Sequence, residues 1–193
     1  LVNDTVVVKR AGDVIPQIVK VKDELRTGSE KGISVPSNCP SCETRLRLEG
    51  PFLKCDAGMS CQKQLFGYFE HFVSRKAMNI DGLGGETIEL LITEGLISEI
   101  SDLYHLKKEE LLPLERMAEK SAENLLLGLE ESKEVPFERV LFALGIRYVG
   151  ETVAKVLCKH FKTIEGIIAA DVETLIAVDE IGDKIAESVV FYF

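Results

Sequence analysis

Val149-Gly150-Glu151-Thr152-Val153-Ala154 decides how this chain is read, because its pattern returns three more times. The unit is an apolar residue, Gly or Ala, three variable positions, and a small or apolar residue. It recurs from Leu83-Gly84 to Ile88, from Met117-Ala118 to Ala122, and from Ile181-Gly182 to Ala186. The second positions, Gly84, Ala118, Gly150 and Gly182, are 34, 32 and 32 residues apart. A period of that size marks one supersecondary element repeated along the chain. Around each copy Leu, Ile and Ala fall at three- and four-residue spacing, so residues 68–193 read as helices separated by Gly-containing turns. The fold class is therefore mainly α.

Each copy reads as a helix-hairpin-helix. In Ile80-Asp81-Gly82-Leu83-Gly84-Gly85 the glycines allow a tight turn with positive φ and the close approach of a phosphate. A helix starts at once, so its unpaired N–H groups and positive dipole end face whatever lies in the turn. Ala122, Ala154 and Ala186 let the second helix of a hairpin pack closely on the first. Such a unit holds a phosphodiester without reading bases. The candidate contacts are Gly82, Gly84 and Gly85 in the first hairpin and Lys120 and Ser121 in the second. Arg147, Gly150 and Thr152 follow in the third, and Gly182 and Lys184 in the fourth. Glu86 and Asp183 oppose such a role. The second copy departs furthest, with Ala118 at the hairpin position and Arg116 at the earlier glycine position; the third and fourth have Tyr148 and Glu180 there. One hairpin alone reads better as a core packing unit; four in register favour nucleic acid.

Moving toward the N-terminus, Cys39, Cys42, Cys55 and Cys61 have the spacing C-x2-C-x12-C-x5-C. A two-residue gap lets one knuckle present two sulfurs, and a longer loop returns the second pair, as tetrahedral Zn2+ requires. Residues 35–67 contain too few large apolar side chains for a core. Metal binding, worth roughly 10–16 kcal/mol in small zinc units, is expected to supply the folding energy. Four Cys ligands leave no open position, so the site reads as structural. Incidental thiols and an iron–sulfur cluster are the alternatives. His71 and Cys158 read as bystanders.

Residues 1–34 read as two β-strands plus a polar linker. Val6 and Val8, then Val19 and Val21, alternate with their neighbours, Arg10–Asp13 carry turn chemistry, and residues 23–38 form the linker. Two strands make no independent domain; they read as the end of a β-barrel. The chain is 46% hydrophobic and 28% charged, with a formal net charge of −9. Residues 1–78 hold 12 Lys/Arg against 9 Asp/Glu, and residues 79–193 hold 11 against 23. Any grip on nucleic acid by the helical part must therefore be local. No apolar run is long enough to span a bilayer. A start at Leu1, without an initiator Met, reads as an excised fragment.

Together these motifs resemble NAD-dependent DNA ligases of the bacterial type, over essentially the whole chain. Lys9–Pro16 resembles the end of that family's OB domain and the four cysteines its zinc finger. His71–Met78 resembles the entry to its hairpin domain, and Glu119–Asn124 and Ala143–Gly150 resemble its second and third hairpins. The resemblance implies a DNA-binding part of an enzyme that seals 5′-phosphate/3′-hydroxyl nicks in duplex DNA during replication and repair. It implies a sequence-independent clamp, with Lys9 and Arg10 as phosphate contacts and the zinc unit fixing the angle between OB and hairpin parts. In the family a K-x-D-G lysine attacks NAD and carries AMP with the help of Mg2+. Here Asn79-Ile80-Asp81-Gly82 puts Asn at the nucleophile position, so no catalytic residue is expected. NAD and Mg2+ belong to the full-length enzyme, whose adenylation and BRCT domains would be partners in the same polypeptide. A monomer in the bacterial cytoplasm, associated with the nucleoid through DNA, is implied. Two other readings stay open: a stand-alone hairpin module for repair, and an acidic scaffold for proteins.

Overall fold

A computed structural model describes residues 1–12 and 14–193. Asp13, part of the expected turn after Arg10, lies outside the described residues. The chain divides into two compact units, Leu1–Asp56 and Ala57–Phe193.

In the first unit β1 (Val6–Ala11) pairs antiparallel with β2 (Ile15–Val21), with a register shift between Val7 and Val8. Ile15, Ile18 and Val19 are exposed, as expected of two strands with no third to cover them. The segment expected to be a linker is more ordered than its composition suggests. A 3-10 turn covers Asp23–Leu25, and Lys31 pairs with Val2 through backbone bonds of 2.9 and 3.1 Å. Arg26 donates to both carboxylate oxygens of Asp4 at 2.7 and 3.0 Å, and that guanidinium holds the Asp4 carboxyl far below its usual range. Composition marks the segment as polar but cannot show that its charges have partners 22 residues away. A second hairpin, β3 (Arg47–Glu49) with β4 (Phe52–Lys54), turns at Gly50 with φ +58°.

The second unit is helical, and its first helix, α1 (Gln62–Val73), starts before Tyr68, where the periodicity placed it. Cys61 is its N-cap and buries its own backbone with the helix: Gln64 and Leu65 N–H both donate to Cys61 O at 2.9 Å. There follow α2 (Gly85–Thr93), a 3-10 segment (Ile100–His105), α3 (Lys108–Leu111) and α4 (Glu119–Ser132). Next come α5 (Phe137–Ala143), α6 (Glu151–Phe161), α7 (Ile164–Ile168), α8 (Val172–Ile176) and α9 (Asp183–Tyr192). The hairpins are α1/α2, α3/α4, α5/α6 and α8/α9, with α7 between the third and fourth.

The hairpins pair two by two. The first and second share a core that includes Phe69, Ile88, Leu91, Leu111, Ala122 and Leu125, while the third and fourth share Leu141, Ala154, Leu157, Leu175, Ala186 and Val189. Ile88, Ala122, Ala154 and Ala186, the last residues of the repeated unit, are completely buried. A larger side chain at the alanines would push the paired helices apart. Gly128 of α4 shows how tight this is, since a Cβ there would stand 2.9 Å from Asp81 O and 3.2 Å from Asp81 N.

The turns share one backbone course. Gly84, Ala118, Gly150 and Gly182 are the N-caps of α2, α4, α6 and α9, all extended, with φ between −75° and −97°. Left-handed backbone lies two residues earlier, at Gly82 (φ +86°), Arg116 (+62°), Tyr148 (+66°) and Glu180 (+68°). Positive φ is thus needed at one position only, and three of four copies reach it without glycine. Ala118, the apparent weak match, occupies a position whose backbone any residue can adopt.

Two substitutions test this packing by urea denaturation. Gly128→Ala drives a methyl into rigid backbone and is expected to destabilise by roughly 1–3 kcal/mol. Glu180→Gly relieves a left-handed side chain, and the gain, up to about 1 kcal/mol, is partly offset by unfolded-chain entropy. A loss at Glu180→Gly and no change at Gly128→Ala would contradict the turn geometry.

Candidate metal centre and nucleic-acid interface

The metal centre is built on two turns. In the first, Cys39 N–H donates to Thr44 O at 2.8 Å and Glu43 N–H donates to Cys39 O at 2.9 Å, with Glu43 at φ +60°. This folds Cys39 and Cys42 onto one side. Cys55 follows β4, and a 3-10 turn over Gly58–Ser60 leads to Cys61. The sulfurs of Cys39, Cys42, Cys55 and Cys61 lie within 4.8 Å of one another. Zn–S bonds of about 2.3 Å in a tetrahedron separate sulfurs by about 3.8 Å, so the cluster fits the ion. Cys42 and Cys55 stand 3.5 Å apart, too far for a disulfide. The Thr44 hydroxyl, 3.3 Å from Cys42 Sγ, and the Thr44 backbone lower the Cys42 thiol below its ordinary range. That favours the thiolate a metal binds. The four cysteines can hold a metal ion, and an all-sulfur donor set is compatible with zinc. Cys158 is different: it is buried in the second hairpin pair, and burial pushes its thiol up to about 11.

Four of the nucleic-acid candidates, Gly82, Ser121, Arg147 and Lys184, fall into two grooves, one in each hairpin pair. Gly82, Thr87, Arg116, Ser121 and Asn124 line the first. Its surroundings are acidic, with Asp81 and Glu131 on the wall and Glu86 3.8 Å from the Arg116 guanidinium. Arg147, Tyr148, Lys184 and Phe191 line the second, with Glu187 as the acid on its wall. The structure thus brings Arg147 together with Lys184, and Gly82 together with Ser121. Gly84 and Gly182 are exposed N-caps with open space around a notional Cβ, as is Gly150, whereas Gly85 packs toward Glu70 and Phe66. Lys120 and Thr152 are exposed in the first turns of α4 and α6, and Lys9 and Arg10 are exposed on β1 of the other unit. Arg116 and Thr87 were not among the contacts expected from sequence. In sequence Arg116 reads only as a missing glycine, although the repeat alignment places it at the turn.

Acidic residues sit in the first turns of α4 and α6, where they would repel a phosphate. Both are engaged from elsewhere. Lys108 Nζ contacts Glu119 at 2.8 Å and Glu123 at 2.7 Å, and Lys76 Nζ contacts Glu151 at 2.7 Å. These lysines hold the Glu119 and Glu151 carboxyls below the ordinary range.

Comparison with known proteins agrees with this geometry in two steps. Residues 139–193 match the helix-hairpin-helix motif family, so the third and fourth hairpins belong to that class of element. Over its whole length the chain is similar to DNA ligases of bacteria. It is 55% identical over 192 residues to the DNA ligase of Christiangramia forsetii, covering 98% of this chain and 29% of that protein. The DNA ligases of Halalkalibacterium halodurans and Bacillus subtilis are 53% and 50% identical over the same shares. The chain spans 29% of the length of these curated relatives and is similar to that segment of them over 98% of its own length. Among the described residues no helix is long and apolar enough to cross a membrane.

Metal analysis of single variants separates the cysteines. Cys158→Ser is expected to keep the metal content of the parent, and Cys42→Ser to lose it. The raised Cys158 thiol also sets a pH limit. Its contribution to stability is complete below the ordinary thiol value of 9.0 and is lost as pH rises through about 11. In Cys158→Ser, thermal melts between those pH values should fall less steeply than in the parent.

Proposed function

We propose that this chain is the DNA-clamping part of an NAD-dependent DNA ligase that seals 5′-phosphate/3′-hydroxyl nicks during replication and repair. The observation that carries the reading is the shared turn of the four hairpins. Each starts a new helix at an exposed N-cap, with unbonded N–H groups facing outward. With Arg147 and Lys184 in one groove and Arg116 in the other, these ends suit backbone phosphates and carry no base-reading geometry. A net charge of −9 is compatible with such binding because the contacts are local. Lys9, Arg10, Lys120 and Thr152 extend the phosphate contacts. The four cysteines hold a structural Zn2+, one per chain.

The chemistry belongs to the rest of the enzyme. Asn79-Ile80-Asp81-Gly82 offers no amine to attack NAD, so the chain by itself forms no AMP adduct and has no use for NAD or Mg2+. Its partners are nicked duplex and the adenylation and BRCT domains of the same polypeptide. It works as a monomer in the bacterial cytoplasm, at the nucleoid.

Fluorescence anisotropy with a nicked duplex at two salt concentrations tests the clamp. If ~4–6 phosphates are engaged, affinity should fall roughly 10²–10³-fold between about 50 and 200 mM salt. An unrelated sequence should bind equally well. Arg147→Ala and Lys184→Ala should weaken binding alike for all sequences and flatten the salt slope by about one unit each. Failure to bind at low salt, with zinc loaded, would remove this reading and leave the acidic scaffold.

A further inference from the structure

The groove between the third and fourth hairpins contains more than phosphate contacts require. Tyr148 stands at the left-handed turn position with its ring half exposed, and the Arg147 guanidinium lies 4.9 Å from the ring centroid. Across the groove Phe191 of α9 is 93% exposed, and Tyr192 lies beside it. Lys184, in the first turn of α9, supplies a second cation, and the one acidic side chain on the wall is Glu187. The corresponding groove of the first pair has no aromatic ring on its wall, and it carries Asp81 and Glu131. Phosphate binding alone explains Arg147 and Lys184 but not two large exposed rings.

Two π-faces beside two cations suit an unpaired nucleotide. The bases stack on rings whatever their identity, and the linking phosphates pair with the cations. A residue with a Cβ in left-handed backbone is also costlier than the Gly82 found at the equivalent turn. Tyr148 adopts that backbone with its ring half exposed beside Arg147. We propose that this groove is a subsite for single-stranded DNA: the first nucleotides of a flap, or bases frayed from the duplex end at a break. The proposal rests on the DNA-binding reading above and adds a preference for unpaired ends to it. An acidic peptide is the competing occupant of such a groove.

The test uses the whole chain with three probes: a nicked duplex, the same nick bearing a short single-stranded flap, and a short thymidine oligonucleotide alone. The flap is expected to raise affinity about tenfold or more, and the oligonucleotide to quench the intrinsic tyrosine fluorescence. The chain has no Trp to mask that signal. Tyr148→Gly suits the backbone already present and Phe191→Ser replaces an exposed ring, so both variants should fold. Each should cut the flap gain, read in every variant as the ratio of flap affinity to plain-nick affinity, at least about threefold, and the pair should abolish both the gain and the quenching. Equal affinity for nick and flap, or a gain that survives the double variant, overturns the subsite. If plain nicked duplex is not bound while the oligonucleotide still quenches through these rings, the clamp reading fails and the subsite stands. An acidic peptide that displaces the oligonucleotide and binds more tightly assigns the groove to protein.

Discussion

Everything in the helical unit depends on reversing the chain within a few residues while keeping the next helix's first N–H groups free. One left-handed residue two positions before the N-cap does this. It bends the chain so that the following apolar residue, Leu83, Val149 or Ile181, enters the core, and the N-cap is then extended and exposed. The N-cap carbonyl is taken by the amide four residues on, at 2.9–3.0 Å in all four copies. None of the four N-caps has a side chain that caps the helix. Where a Ser or Asp would normally consume an amide, Gly or Ala leaves it available. Two helices that do not start at the repeated turn, α7 and α8, are capped in the ordinary way by Thr163 and Asp171.

Charge is managed at the same small scale. The helical unit is strongly acidic, yet glutamates at the starts of α4 and α6 are drawn onto Lys108 and Lys76. These are exposed pairs and add little stability. Their effect is on the field near the helix ends, where a free carboxylate would cancel the positive end of the dipole. The first groove keeps more acid than the second, so the two pairs are alike in backbone and unlike in potential.

The repeat made the four hairpins legible from sequence, because burial of Ile88, Ala122, Ala154 and Ala186 leaves a fixed spacing of small and apolar residues. The cysteine cluster was legible for a similar reason: thiols at knuckle spacing have few other uses. The turn conformation at Arg116, Tyr148 and Glu180 was not. Glycine is the signal for left-handed backbone, and those copies lack it, so they read as imperfect. The pairing of hairpins was also hidden, since an amphipathic stripe shows that a helix is buried without naming its partner. The start of α1 was missed because Gln62 and Lys63 are polar and follow a cysteine assigned to the knuckle. In the first unit the Asp4–Arg26 pair joins positions with no local pattern between them.

Among the described residues, Phe142 is the one side chain packed against both helical cores. On the same helix, Leu141 belongs to one core and Ala143 to the other, and His71 Nε2 meets Phe142 O at 2.8 Å with its ring against the Phe142 ring. The two cores belong to one compact unit, and the Lys76–Glu151 ion pair and the Tyr68 and Tyr192 hydroxyls bridge the same seam. A single helix, α5, thus carries neighbouring residues into both cores, so a substitution at Phe142 is felt by all four hairpins at once.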